Sequence, residues 1–362
     1  MIKVIEFAFR LRTIWAVFLA LFVGGIMIAA AGHNPFTAYG ALFHGAFIDY
    51  YGLGATLVKM SPILLAGLAV IIPLRAGLFN IGGEGQIYMG ALCSTGVALY
   101  VTGLPDLAHF ALVIVAGCIG GGLWALIPAI LKAYRGINEV IVTILMNYVA
   151  INLVSYFVSG PMMQEGAPYP YSPEIDDHLF LSWIMPGTDV HTGIIMGLLL
   201  SFTFWFILKY SSVGIGWSTV GHNPVAAKYA GINVKRQILI SMFVGGAVAG
   251  LAGTIEVIGL KYRLFHLFSP GYGYDGIVVA FLAGLNPIFL PFATLFLSGL
   301  KAGANVMQRA IGLESTIIEA IQGLVIIFTA ASLALKFNKP FWERFLNRKE
   351  APSTVKGDSK NV

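Results

Sequence analysis

Long apolar runs, separated by short polar segments, make up most of the chain. They occupy residues 13–31, 55–74, 86–102, 108–131, 139–158, 190–209, 237–258, 276–290, 292–308 and 315–336. A helix needs about 20 apolar residues to cross the hydrocarbon core of a bilayer, whereas barrel strands are shorter and alternate in polarity. The pattern therefore predicts an all-α, polytopic transmembrane bundle of about ten spans.

Glycine and proline break up parts of this pattern, which predicts interrupted helices near 55–102 and 274–310. A weak internal repeat is also visible. Phe22–Gly25 and Phe243–Gly246 share the sequence Phe-Val-Gly-Gly, and the Ser-Pro pairs at 61–62 and 269–270 precede similar Ala-Gly-Leu triplets. Repeats with interrupted helices are typical of transporters, and chance similarity in Gly- and Ala-rich helices is the alternative interpretation.

Composition supports a membrane protein. Hydrophobic residues make up 57% of the chain and charged residues 11%, against about 25% charged in a soluble domain. These values argue against an ordinary soluble enzyme and a disulfide-rich secreted fold. The net charge of +5 does not indicate nucleic-acid binding, because no basic face is interleaved with aromatic residues. Cys93, Cys118 and the histidines show no metal-ligand spacing, so no metal site is predicted.

Charge is unevenly distributed between the predicted loops. Lys and Arg concentrate at the N-terminus, in the 132–138 turn, in 209–236 and in the C-terminal tail, whereas 159–189 is acidic. Cytoplasmic loops are enriched in Lys and Arg, so a multi-pass protein of the cell membrane with both termini cytoplasmic is predicted. Lys261 and Arg263 fall on the outside in this scheme and do not fit it.

The first stretch with candidate chemistry is 76–91, where Asn80, Glu84 and Gln86 stand among four glycines. Glycines allow the backbone to unwind or helices to approach closely, and unwound backbone at membrane depth must face protein or a watery cavity. A carboxylate in such a place is a candidate functional residue. The alternative is a glycine-lined helix contact in which Glu84 hydrogen-bonds to a neighbouring helix.

The second stretch is a short predicted helix in the basic 209–236 segment. Asn223 before Pro224 is typical of a helix N-cap followed by proline at the first helical position, and Gly231 is typical of a helix end. A short helix with small residues on one side suits docking against another protein; an ordinary solvated loop helix is the alternative. The candidate docking residues are Asn223, Ala226, Ala227, Lys228 and Gly231.

A third stretch begins at the 132–138 turn. Glu139, Thr143, Met146 and Asn147 fall at helical spacing on one face of a span. Such a polar stripe lines a pathway or hydrogen-bonds to a neighbouring helix, and the sequence favours neither.

The chain lacks the motif by which a protein would bind ATP itself. Gly82-Gly83-x-Gly85 has no preceding strand and no following Lys-Ser/Thr, and no Gly-x4-Gly-Lys-Ser/Thr occurs anywhere in the sequence. No Ser/His/Asp set is suggested either. The chain is therefore predicted to be neither an ATPase nor another enzyme, and to need no cofactor of its own.

Three motifs resemble one family. Gly-Leu-Phe-Asn-Ile-Gly-Gly-Glu-Gly-Gln at 77–86 resembles the signature of ABC-importer permeases in the ribose, branched-chain amino acid and nucleoside class, and its Gly-Gly-Glu-Gly-Gln form is nearest to the nucleoside branch. The 138–147 segment is also similar to that branch. Ala-Ala-x3-Gly at 226–231 resembles the loop that contacts the ATPase, although Pro224 and Val225 stand where many permeases have Glu.

This resemblance implies a fold and a set of partners. The permease domain would cover 1–336, with a cytoplasmic coupling segment near 209–236, and 337–362 would be a basic cytoplasmic tail, disordered at its end. The implied partners are a second, related permease, a cytoplasmic ATP-binding subunit that binds the ATP, an extracellular substrate-binding lipoprotein and membrane lipid.

The resemblance also implies import of nucleosides. A nucleoside needs hydrogen-bond partners for its base and ribose, and Asn80, Gln86, Asn147 and Asn286 could supply them, with Glu84 beside them. A permease of the same class for simple sugars or branched-chain amino acids is one alternative. A secondary carrier or channel driven by an ion gradient is another.

Overall fold

The computed structural model describes residues 12–312 and 314–334. Within these ranges the chain folds into α-helices and short helical turns, with two isolated β-bridges and no β-strand. The α-helices, in chain order, are α1 (Arg12–Ala30), α2 (Pro35–Phe43), α3 (Tyr50–Arg75), α4 (Gly83–Tyr100), α5 (Asp106–Arg135), α6 (Glu139–Ser159), α7 (Gly193–Tyr210), α8 (Ser212–His222), α9 (Pro224–Tyr229), α10 (Val234–Glu256), α11 (Tyr272–Leu282), α12 (Leu290–Ile311) and α13 (Ser315–Ala334).

The predicted all-α membrane bundle agrees with this structure, but ten crossings are not established. Among the described residues, five helices are long and apolar enough to cross a membrane: α3, α5, α6, α7 and α10, the last with its π-helical extension to Lys261. The predicted run 276–290 is not one continuous helix. Its helix, α11, has 11 residues and ends at Leu282, so it rises about 16 Å and is too short to cross a bilayer alone.

The centre of the bundle is built from α3, α4, α5 and α10. Residues 60–73 of α3 are buried on every face, which explains why this helix shows no polar side. The central helix α10 packs against α3, α4 and α5. Glycines allow close contacts here, because a Cβ added at Gly250 of α10 would lie 2.2 Å from the Gly117 carbonyl oxygen of α5.

A smaller apolar cluster joins α1, α2, α12 and α13 beside this centre. The two Phe-Val-Gly-Gly motifs lie inside α1 and α10. The two Ser-Pro pairs, in contrast, have different settings, since the pair at 61–62 is inside α3 and the pair at 269–270 precedes α11. The Ser-Pro part of the predicted repeat therefore does not correspond to a repeated structure.

The loops gather at two opposite ends of the bundle. At one end Lys235 lies over the ring of Tyr134, with 4.5 Å from its Nζ to the ring centroid, so the 132–138 turn and the 209–236 segment meet. At the other end Arg263 forms an ion pair with Glu174 and donates to Gln164 Oε1 at 2.9 Å. Arg263, which did not fit the charge rule, is thus paired with the acidic 159–189 loop on the same side.

Candidate functional site

The helical path breaks after α3. The chain has no regular secondary structure at 78–81, and α4 begins at Gly83. The N-terminus of α11 lies directly against this start, because a Cβ added at Gly273 would be 2.1 Å from the Glu84 backbone nitrogen. Two helix N-termini, each carrying partial positive charge and free N–H groups, therefore meet inside the bundle.

Glu84 lies at this meeting point. Its Oε2 accepts a hydrogen bond from the Gly273 N–H at 2.7 Å, and the residue is 2% exposed. A carboxylate there satisfies one otherwise unpaired N–H group and offsets the positive ends of both helices. The hydrogen bond from Glu84 to a neighbouring helix, which was the packing alternative, is present in the structure.

Asn80 and Gln86 hold the two sides of the break together. Asn80 Nδ2 donates to Gln86 Oε1 at 2.9 Å, and Gln86 Nε2 donates back to Asn80 Oδ1 at 3.0 Å. Asn80 Oδ1 also accepts from the Gly82 N–H at 3.0 Å. Both side chains are buried, so this reciprocal amide pair fixes the 78–81 segment against the first turn of α4.

Asn147 joins the same cluster from α6. Its Oδ1 accepts from the Gly85 N–H at 2.8 Å, and its Nδ2 donates to the Ile81 carbonyl at 2.9 Å. The stripe of Glu139, Thr143 and Asn147 is buried, and Glu139 also forms an ion pair with Lys132 at 2.7 Å. The stripe therefore faces the rest of the chain and packs against the break.

Asn286 lies apart from these residues. It belongs to the turn between α11 and α12, where its Oδ1 accepts from the Ile288 N–H at 3.2 Å. The structure thus brings Asn80, Glu84, Gln86 and Asn147 together and leaves Asn286 outside the cluster.

Further charged groups lie close to the start of α11. Asp275, in its first turn, forms an ion pair with Lys301 of α12, and Glu256 accepts a hydrogen bond from the Tyr272 hydroxyl at 3.2 Å. Lys59 forms no ion pair within the part of the chain that the structure describes. In the same part, no three His, Cys, Asp or Glu side chains are grouped so that they could hold a metal ion.

The predicted cap and end of the short basic-segment helix are confirmed. Asn223 Oδ1 accepts from the Val225 and Ala226 N–H groups, at 3.0 Å each, and α9 runs from Pro224 to Tyr229. Gly231 follows with φ of +80°. Among its residues only Ala227 is buried, and Tyr229 is 90% exposed. A groove of about 890 Å³ lies beside α9, bordered by Lys132, Lys228, Tyr229 and Lys235.

Comparison with known proteins decides the family. Residues 52–330 match the family described as "Branched-chain amino acid transport system / permease component". The chain belongs to this permease family. The predicted resemblance is therefore confirmed.

Three relatives illustrate the range of permeases that the chain is similar to. It is 36% identical over 325 residues to the guanosine ABC transporter permease protein NupP of Bacillus subtilis (strain 168), covering 89% of this chain and 93% of NupP. It is also 36% identical over 323 residues to the glucose ABC transporter permease protein TsgB13 of Haloferax volcanii, covering 86% and 85% of the two chains.

The third relative is the nucleoside ABC transporter permease protein NupB of Lactococcus lactis subsp. cremoris (strain MG1363). The identity is 31% over 334 residues, which cover 90% of this chain and 92% of NupB. No solved structure matches the chain. As a permease it is a multi-pass membrane transport component that works with an ATP-binding subunit and a paired permease.

The break at 78–81 and the start of α11 together form what we call the broken-helix site. The sequence singled out the residues at the break but not the start of α11. The start of α11 is set by Ser269, whose Oγ accepts from the Gly271 and Tyr272 N–H groups at 3.3 and 3.2 Å. This Ser-Pro-Gly segment is a capping signal that the sequence contained. The apolar run at 276–290 begins after the first turn of α11, so hydropathy alone does not mark this helix start.

Replacing Asn80 with alanine should lower the thermal stability of the permease, because it removes the amide pair and leaves the buried Gln86 amide and the Gly82 N–H without partners. Each buried group left unpaired costs about 1–3 kcal/mol. The measurement is the apparent Tm of the detergent-solubilised permease. Asn286→Ala is the matched control, since it removes only a local turn contact, and an equal Tm for both variants would contradict the proposed contribution of the amide pair.

Proposed function

We propose that this permease forms the translocation path of an ATP-driven importer for nucleosides. The observation that carries this proposal is the similarity, over about nine-tenths of each chain, to two permeases named for guanosine and for nucleosides. The proposed substrate path runs past the broken-helix site, where Asn80, Glu84, Gln86 and Asn147 fix the two half-helices. Asn286 is proposed to contribute from the turn after α11.

A simple sugar is the second candidate substrate, because the glucose permease TsgB13 matches with the same identity, 36%, as the guanosine permease. Uptake of radiolabelled guanosine and glucose should be compared in a strain that lacks this chain and in the same strain after it is restored. Restored guanosine uptake supports the nucleoside importer, whereas restored glucose uptake alone would replace it with the sugar importer.

The proposed orientation places both termini, the 132–138 turn and α9 in the cytoplasm and the 159–189 loop outside. This arrangement is supported by the basic residues at one end of the bundle and the acidic loop at the other. The ATP-binding subunit would dock on α9 through Asn223, Ala226, Ala227, Lys228 and Gly231, and the substrate-binding lipoprotein would approach the outer end. The second permease of the pair is proposed to be a related chain.

The helix that precedes α9 contacts the chain just before the break. Gly221, at the end of α8, packs against the backbone that follows α3, because a Cβ added there would lie 2.3 Å from the Arg75 carbonyl oxygen and 2.9 Å from the Gly77 nitrogen. Movement of α9 would therefore push on the residues that lead into the 78–81 segment. This is the proposed route by which closure of the ATP-binding subunits reaches the path.

Replacing Gly221 with valine should reduce uptake about tenfold or more, because its side chain would separate α8 from the backbone at 75–77. The backbone atoms there cannot give way as a flexible side chain would. The measurement is nucleoside uptake together with co-purification of the ATP-binding subunit, which should persist since α9 itself is unchanged. The control is Gly40→Val, because a Cβ added at Gly40 meets nothing within 4 Å. Normal uptake by Gly221→Val would contradict this route.

A further inference from the structure

The exposed face of α6 carries polar side chains within a candidate membrane span, beside the aliphatic Ile141, Leu145 and Val149. Tyr148, Asn152 and Tyr156 follow one another at four-residue spacing, and Tyr148 and Tyr156 are 61% and 64% exposed. Tyr148 lies near the middle of Glu139–Ser159, one of the five candidate spans. This face is exposed, whereas the stripe of α6 that contains Asn147 is buried.

The exposed face of α5 shows what contact with lipid requires. Its exposed positions between 110 and 131 are Ala111, Leu112, Val115, Ile119, Leu123, Ile127 and Ile130. All of them are aliphatic, as expected for a helix that faces hydrocarbon. The exposed face of α6 differs from it, because Asn152, Tyr148 and Tyr156 stand among its aliphatic side chains.

Asn152 is the side chain of this face that hydrocarbon accommodates least well, because its amide is only partly hydrogen-bonded. Its Nδ2 donates to the Tyr148 carbonyl of its own helix at 2.7 Å, and its Oδ1 has no hydrogen-bond partner in the described part of the chain. An unpaired amide oxygen in hydrocarbon is costly, and polar side chains in membrane spans face a bundle interior or a watery cavity. The α6 face therefore adjoins something other than hydrocarbon alone: water, a polar ligand or polar groups of the paired permease.

Two other polar groups extend this face at its edges. Ser155 Oγ hydrogen-bonds to His266 Nδ1 at 2.7 Å, which brings in the segment between α10 and α11. Tyr274, in the first turn of α11, is 42% exposed, and its hydroxyl accepts from Asn147 Nδ2 at 3.4 Å. These two hydrogen bonds connect α6 to the first turn of α11 and to the loop of residues 262–271.

We propose that this α6 wall, formed by Tyr148, Asn152, Tyr156 and Tyr274 with the Ser155–His266 pair, lines the path and contacts the base of the transported nucleoside. The inference rests on the proposed function. Aromatic rings offer flat surfaces on which a heteroaromatic base stacks, and an Asn amide offers a donor and an acceptor that match the edge of a base. A simple sugar has no planar face for such stacking.

The wall is tested by the water accessibility of single cysteines in the assembled importer. Cys93 and Cys118 are first replaced by alanine, and then Asn152→Cys is compared with Val115→Cys, which lies on the aliphatic face of α5. A membrane-impermeant, charged thiol reagent should modify Asn152→Cys at least tenfold faster, and guanosine should slow that modification severalfold. Equal rates at the two positions, with guanosine uptake intact, would overturn the wall while leaving the proposed function in place.

Transport kinetics give an independent readout. Asn152→Leu should raise the KM for guanosine uptake about tenfold with little change in the amount of permease in the membrane, and Val115→Ala should change neither. An unaltered KM in Asn152→Leu would overturn the contact with the base. If the wild-type importer takes up no guanosine, that result would instead contradict the proposed function.

Discussion

Replacing Glu84 with alanine should reduce nucleoside uptake about tenfold or more while leaving the permease in the membrane. The carboxylate accepts from the Gly273 N–H and lies between the N-termini of α4 and α11. Its loss removes a charge-assisted hydrogen bond worth about 1.5–3 kcal/mol and leaves a buried N–H unpaired. Since about 1.4 kcal/mol corresponds to a factor of ten, the contact between the half-helices should weaken enough to disturb the path.

Two variants make this experiment specific. Glu84→Gln keeps an acceptor for the Gly273 N–H without the charge, so it should retain more uptake than Glu84→Ala. Glu314→Ala removes a carboxylate from an exposed position and should transport normally. Wild-type uptake by Glu84→Ala, with equal protein in the membrane, would show that the contact at the break is not needed for transport.

Replacing Gly250 with valine should prevent much of the permease from folding. A side chain at this position would lie 2.2 Å from the Gly117 carbonyl oxygen and 3.0 Å from the Gly121 Cα, so α10 and α5 could not approach as they do. Overpacking of a well-packed core costs about 1–3 kcal/mol or more, and here the obstructing atoms belong to the backbone. The expected result is a large loss of folded permease, measured as the monodisperse fraction after solubilisation.

The matched control for this variant is Gly96→Val. Gly96 also lies within a helix, α4, but a Cβ added there meets nothing within 4 Å. Both variants carry the same cost of placing a β-branched residue in a helix, so the difference between them isolates the close approach of α5 and α10. Equal amounts of folded protein for the two variants would contradict the packing described for the centre of the bundle.

Much of the fold followed from local signals in the sequence. Apolar runs gave the positions of the long helices, and Asn223 with Pro224 gave the start of α9, because capping depends on neighbouring residues alone. The interruption predicted near 274–310 is present, but the apolar run at 276–290 did not show where α11 ends, because hydropathy alone does not mark a helix end. The chain stays apolar as far as Leu285, although α11 ends at Leu282, and only Asn286 and Pro287 mark the turn before α12.

The candidate site was predictable in composition but not in arrangement. The sequence singled out Asn80, Glu84, Gln86 and Asn147, since polar residues among glycines in apolar runs are conspicuous. It could not show that the Asn80 and Gln86 amides bond to each other. Nor could it show that Gly273 is the partner of Glu84, because the contact between Glu84 and Gly273 joins residues 189 positions apart. The exposed Asn152 was equally visible in the sequence, but only the packing of α6 shows which side is free.

We propose that this permease conducts nucleosides when an ATP-binding subunit drives it. The most direct measurement is accumulation of labelled guanosine in proteoliposomes that contain the permease pair, the ATP-binding subunit and the substrate-binding lipoprotein. We expect accumulation that requires ATP, stops without the ATP-binding subunit and is competed by other nucleosides but not by glucose. Accumulation that is driven by an ion gradient without ATP, or transport of glucose in place of guanosine, would contradict the account.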